Sequence, residues 1–176
     1  MKRLILFFAL FICYGNGFAQ LDVIKKHSGE TVEGKIVRVE EYTITFKYDG
    51  EDAENTLGKY AIEKIVYGKS GRVEQVTDKI EINSEDDWEK VVILEEKSYI
   101  AGLKKEGEIK GKTGFVSFHT GNTANRKAEM KLKQDAAKLG CAFILLTSDK
   151  DINQSGAQGP TLGAVQSIKK GIAYKY

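Results

Sequence analysis

The sequence predicts an α+β protein in which a small antiparallel β-barrel is followed by a β-β-α-β-β domain with one main helix on a sheet. Three observations lead there. Apolar and polar residues alternate with period two from Asp22 to about Ile82, and turn signals recur at short intervals along that stretch. One segment, 123–139, repeats apolar residues at three- and four-residue steps. Short apolar runs flank that segment on both sides, as strands of one sheet flank a helix that covers it. The 176 residues allow one medium domain or two small ones, and 41% hydrophobic with 30% charged residues is the balance of a globular chain.

The chain opens on basic Met1-Lys2-Arg3 and an apolar run from Leu4 to Cys13, and Gly17 and Ala19 place small residues at −3 and −1 before Gln20. This is the pattern of a secretory signal peptide, so 1–19 is expected to be removed by cleavage between Ala19 and Gln20. Ten apolar residues cover about 15 Å as a helix against a membrane core of about 30 Å, too little for a span. Cys13 follows Leu10-Phe11-Ile12, whereas a lipidated cysteine follows a small residue. Removing Lys2 and Arg3 from the 27 basic residues leaves 25 against 25 acidic ones, which argues against nonspecific nucleic-acid binding. Cys141 is then the one remaining cysteine, so no intrachain disulfide is available even in an oxidising compartment.

Strands are predicted near 22–26, 31–40, 42–48, 59–67 and 72–76, with turns at Ser28-Gly29, Asp49-Gly50 and Ser70-Gly71. Tyr42, Ile44, Phe46 and Tyr48 alternate with Thr43, Thr45 and Lys47, giving one apolar and one polar face. Short strands of this kind in about 60 residues enclose a core most readily as a strongly bent barrel. Asp22-Val23-Ile24, the run from Gly29 to Ile36 and the run from Ile62 to Val66 together resemble the Sm-like and SH3-like small barrels. That resemblance implies the barrel fold. The RNA binding of Sm-like proteins is not carried over, since residues 21–84 hold 10 basic and 13 acidic residues in a chain expected to be exported.

Polar Asn83-Ser84-Glu85-Asp86-Asp87 marks the expected boundary between a domain at 20–84 and one at 85–176. Beyond it, Val91 to Leu94 and Glu108 to Phe118 read as strands. The helix at 123–139 carries Ala124, Ala128, Leu132, Ala136 and Leu139 as its apolar stripe, with Asn122 or Thr123 as its cap and Gly140 as its stop. Ala142 to Leu146 reads as a buried strand, and Gly163 to Tyr176 offers the last one. The segment Glu129 to Ala142 and the ending Gly171-Ile172-Ala173-Tyr174 resemble a group of small envelope lipoproteins that includes the outer-membrane sensor of the Rcs stress phosphorelay. The resemblance implies an α/β domain with a place in the cell envelope.

Candidate chemistry is sparse. Gly107 to Thr113 approaches a phosphate-binding loop, but three residues separate Gly107 from Gly111 where four are required, and the sequence after it alternates like a strand. Asp149, Asp151 and Asn153 have the spacing of the first calcium-loop ligands, yet Gln154 stands where the glycine belongs and Pro160 where the bidentate acid belongs. His27, His119 and Cys141 are too scattered for a closed zinc site, and Cys141 at a strand start reads as a small buried apolar residue. Ser117 and His119 on one strand face would stand about 6.6 Å apart, against about 3 Å for a nucleophile and its base.

The helix bears Arg126, Lys127, Lys131, Lys133 and Lys138 against Glu129 and Asp135, and residues 85–176 hold 15 basic and 12 acidic residues. This charge reads either as a solvated helix face or, functionally, as a site for an anionic partner: phospholipid head groups, peptidoglycan carboxylates or the acidic first half of the chain. Asp149, Asp151 and Asn153, in an expected polar loop at 149–164, are further partner-binding candidates. The expected function is that of an exported, non-catalytic binding module in the periplasm or cell envelope. Its partner would be an envelope protein or cell-wall component. No cofactor, metal, nucleotide, nucleic acid or integral membrane span is expected. The alternative is an exported hydrolase using Ser117 and His119 or the loop acids at 149–151.

Overall fold

The computed structural model describes residues 20–113, 121–154 and 164–176. The expected leader at 1–19, Ser117, His119 and residues 155–163 lie outside the described residues. The described chain is mixed α+β, mostly strands in two sheets with one main helix.

The first sheet is built from β1 (Asp22–Lys26), β2 (Thr31–Val39), β3 (Thr43–Lys47), β4 (Asn55–Gly58), β5 (Ile62–Val66) and β6 (Val73–Gln75), with a 3₁₀ turn at Lys59–Ala61. Its order is β4-β3-β2-β1-β5-β6, with every neighbouring pair antiparallel. The two edge strands, β4 and β6, are not paired with one another among the described residues. Asp22 fixes the middle of the sheet, because its carboxylate accepts from the Ile36 and Gly68 backbone N–H groups at 2.9 Å each. Ile24, Ile44, Phe46, Leu57, Ile62 and Ile65 form the core on this sheet.

Two expectations need correction here. The strand expected at 59–67 begins only at Ile62, and the chain before it forms β4, a strand whose one buried large apolar side chain is Leu57. β3 is also not split into an apolar and a polar face. Tyr42 and Tyr48 are 39% and 42% exposed, while Thr43 and Thr45 are 5% and 4% exposed. The ladder to β4 spans only Thr43 to Phe46, and both tyrosines lie just outside it. Thr43 is buried at little cost because its hydroxyl donates to Glu40 at 2.8 Å.

The second sheet follows the expected β-β-α-β-β order. It contains β7 (Val92–Leu94), β8 (Lys104–Lys112), β9 (Phe143–Gln154) and β10 (Ala164–Lys175), with helix α1 (Gly121–Lys138) between β8 and β9. The strand order is β7-β9-β10-β8, with β7 parallel to β9 and the other pairs antiparallel. β9 is longer than expected. Pairing with β10 continues through Gln154↔Ala164, so 149–154 is strand rather than the start of a polar loop.

Successive residues of a strand face opposite sides, and this sheet is covered on both. Ile144 and Ala173 meet Leu132, Ala136 and Ala137 of α1 on one side. Phe143, Leu145 and Tyr174 pack on the other with Tyr60, Ile80 and Tyr99. The first half of the chain therefore covers the face that α1 leaves open. Tyr60 and Tyr176 rings each lie 5.3 Å from Phe143, Tyr176 lies 4.8 Å from the His27 ring, and the Ile80 N–H donates to the Tyr176 hydroxyl at 2.9 Å.

α1 starts at Gly121, so Asn122 and Thr123 fall in its first turn rather than at its cap. Ala124, Ala128, Leu132 and Ala136 are fully buried, as the stripe predicts. At the end, the Gly140 N–H bonds the Ala137 carbonyl at 2.9 Å and the Cys141 N–H the Ala136 carbonyl at 3.0 Å, with Gly140 at φ 65°. That is a Schellman stop, and it turns Leu139 off the stripe to 45% exposure. The polar run at 83–87 is likewise ordered. Ser84 caps a 3₁₀ turn at Glu85–Lys90 through a reciprocal capping box with Asp87.

Candidate functional site

Two of the three basic residues expected to meet a partner, Arg126 and Lys127, fall together on the outer side of α1. Thr123, Arg126, Lys127, Met130 and Lys133 are spaced so that they share one helical face. With Glu129 and Trp88 they line an open groove of about 550 Å³. Trp88 arrives from the 85–90 turn, half-buried against the cluster formed by Val91, Leu132 and Ala136. The turn is held against the helix by Lys138, whose ammonium lies 3.1 Å from Glu85 and 3.6 Å from Asp135. Within the groove Lys133 and Glu129 are 3.7 Å apart, one turn along the helix. The floor is thus apolar, from Trp88 and Met130, and the rim is cationic.

The remaining sequence candidates lie elsewhere. The Lys131 ammonium donates to the Lys112 carbonyl at 3.1 Å, tying α1 to the end of β8 rather than facing the groove. Asp149 forms an ion pair with Lys169, its direct register partner on β10. Asp151 and Asn153 stand opposite Ser167 and Val165 on the same ladder. An extended strand sets alternate residues about 6.6 Å apart, whereas a calcium loop winds them round one centre. The loop acids of the hydrolase alternative are therefore strand residues, and Asp149 is already engaged by a lysine. Gly107 to Lys112 also lies on a strand, β8, and not in a turn that could cradle phosphate.

Cys141 is fully buried with its Sγ 3.7 Å from the Leu139 carbonyl, and burial pushes its thiol pKa up. It behaves as the small apolar residue that its position predicts. His27 shares a 3.0 Å hydrogen bond with the Thr77 hydroxyl, and burial lowers its pKa. Among the described residues no three His, Cys, Asp or Glu side chains stand together as a metal-binding group. No described helix is long and apolar enough to cross a membrane.

Two features had no usable signal in the sequence. Trp88 sits in a charged run that reads as a boundary, and only the 3₁₀ turn brings it to α1. Tyr42, just before β3, and Tyr60 and Tyr99, from two separate 3₁₀ turns, meet in a second cleft of about 320 Å³, which Ile93, Leu94 and Glu95 complete. A buried polar knot also joins α1 to the sheet. The Ser167 hydroxyl lies 2.6 Å from Asn125 Oδ1, Gln166 donates to the Thr113 carbonyl at 2.6 Å, and the Ser167 N–H donates to the Thr113 hydroxyl at 3.0 Å. Every one of its buried side chains has a partner, which suits a structural pin.

The fold and groove define a two-sheet α+β protein with a basic, aromatic-floored surface. Comparison with protein-family models, with curated proteins and with solved structures returns no match.

Proposed function

We propose that the protein is an exported, non-catalytic binding module of the cell envelope, and that it meets an anionic envelope protein or cell-wall component at the groove between Trp88 and α1. The groove itself carries the reading: two residues expected from sequence to contact a partner, Arg126 and Lys127, line it beside an aromatic floor. Tryptophan and arginine are the side chains that most often dominate a binding surface, and a guanidinium matches a carboxylate with two parallel hydrogen bonds. Export is supported by the leader pattern ending at Ala19 and Gln20. The resemblance of 129–142 and 171–174 to small envelope lipoproteins supports the compartment. In this reading the first half, with its likeness to small barrels, is a scaffold that seals the second sheet and leaves α1 outward.

Of the three anionic partners considered, the acidic first half is the least suitable, because Tyr60 and Ile80 hold it against the face of the sheet opposite α1. The test is co-sedimentation of purified protein with insoluble cell-wall and envelope fragments at low and high salt. Wild type should pellet at low salt and be released as salt rises, since exposed charges are screened. The double variant Arg126→Glu, Lys127→Glu should lose about 2 kcal/mol or more, roughly 30-fold in affinity. Equal pelleting of the two proteins would contradict the assignment of this groove.

A further inference from the structure

The cleft formed by Tyr42, Tyr60 and Tyr99 has the opposite electrostatic character to the α1 groove. The Tyr42 and Tyr99 rings lie 4.7 Å apart at 38°, and Tyr60 is held by its contact with Phe143. The walls are fixed by backbone. The Gly58 N–H donates to the Ala101 carbonyl at 2.9 Å and the Lys59 N–H to the Tyr42 carbonyl at 2.8 Å. The 3₁₀ turn Lys97–Ile100 presses so closely on β4 that a Cβ on Gly58 would lie 2.1 Å from the Tyr99 carbonyl oxygen. Such a cleft is formed before any ligand arrives, so little ordering is needed to fill it.

Three carboxylates, Glu41, Glu95 and Glu96, surround these rings. All three are exposed, and none forms an ion pair with a described lysine or arginine. Their negative field is felt by the phenols. Hydrogen bonding to Glu41 raises the Tyr42 hydroxyl pKa, and burial together with Glu96, Glu41 and Glu95 raises that of Tyr99. Aromatic faces attract a cation through their quadrupole, and carboxylates accept the N–H donors of an ammonium group. Anions are repelled by the same field, and the rings and the apolar Ile93 and Leu94 suit an alkyl stem.

We infer that this cleft binds a primary alkylammonium group, presented as a lysine side chain of a partner protein. The site is independent of the α1 groove and holds whether or not that groove binds an anion.

The test is a titration of the full chain with N-acetyl-lysine N-methylamide, read from the NMR ring signals of Tyr42, Tyr60 and Tyr99. N-acetyl-norleucine N-methylamide, which has the same four-carbon stem but no ammonium group, is the comparison. The lysine compound should shift the ring signals saturably and the norleucine compound should not. Glu95→Gln with Glu96→Gln, both on exposed positions, should weaken binding about tenfold or more while leaving the melting curve in place. Arg126→Glu should leave the titration unchanged. Equal shifts from norleucine would mean a merely apolar cleft, and saturable binding that survives the double Gln variant would remove the carboxylates. Either result overturns the inference, as does the absence of any shift with the lysine compound.

Discussion

Replacing Gly111 with alanine tests how α1 is seated, and the structure sets the size of the effect. A Cβ at Gly111 would lie 1.9 Å from the Ala128 carbonyl oxygen, 2.9 Å from the Leu132 nitrogen and 3.0 Å from the Ala128 carbonyl carbon. Carbon and carbonyl oxygen meet comfortably at about 3.3 Å, so the helix must retreat by roughly 1.4 Å. The obstacle is backbone of a buried helix, not the free end of a side chain, and cannot be swung aside. Retreat also loosens Leu132 and Ala136, both fully buried under the helix. Overpacking of a core costs typically 1–3 kcal/mol, and a rigid backbone clash belongs at the upper end, about 3 kcal/mol. Gly107, on the same strand, is the matched control, since a Cβ there meets nothing within 4 Å. Gly107→Ala should be neutral or stabilise by up to about 1 kcal/mol, through lower entropy of the unfolded chain. Urea unfolding followed by circular dichroism measures both. Gly111→Ala and Gly107→Ala with the same midpoint would refute the close seating of α1 on β8.

The remaining predictions concern the joint between the two halves. Burial lowers the pKa of His27, so the unfolded chain takes up its proton first as pH falls. Stability from neutral His27 is complete above the unfolded value of 6.5 and declines as pH drops from there through the lower folded value. Wild type should therefore lose more stability than His27→Gln between pH 7.5 and 5.5 in urea melts, and parallel losses would show that His27 does not titrate against folding. Tyr176→Phe keeps the ring contact with Phe143 but leaves the Ile80 N–H without its acceptor, at a cost of about 1–3 kcal/mol where water is excluded. An unchanged melt for that variant would mean that the C-terminal ring is not a strap between the halves.

The parts of the fold that were legible are those whose burial follows a simple period. Ala124, Ala128, Leu132 and Ala136 mark the buried side of α1 because helix packing on one sheet selects every third or fourth residue, and Gly140 marks its end because only a left-handed residue closes a Schellman motif. β1, β2 and β6 follow the alternation and turn signals to within a residue or so at most ends. β4 was hidden because one buried large apolar residue, Leu57, gives no alternation, and its place is set by pairing with β3. Tyr42 and Tyr48 misled because period two reports which side a residue faces, not whether anything covers that side. The extension of β9 through Asp149 to Gln154 comes from a partner strand, which no local pattern records. Half of the α1 groove was legible as charge at helical spacing. The other half, Trp88, depends on a turn at a polar run that reads as a domain boundary.

Photo-crosslinking from the groove tests the proposed binding role most directly. A photoreactive residue replacing Met130, on the groove floor, is compared with one replacing Thr147, exposed on β9. Both proteins are produced in the native cell and irradiated with the envelope intact. The groove position should yield a discrete adduct with an envelope protein or cell-wall fragment, and that adduct should disappear when Arg126→Glu and Lys127→Glu are added. No adduct from position 130, or adducts equally strong from position 147 and insensitive to the charge reversals, would contradict the assignment of α1 as the binding face.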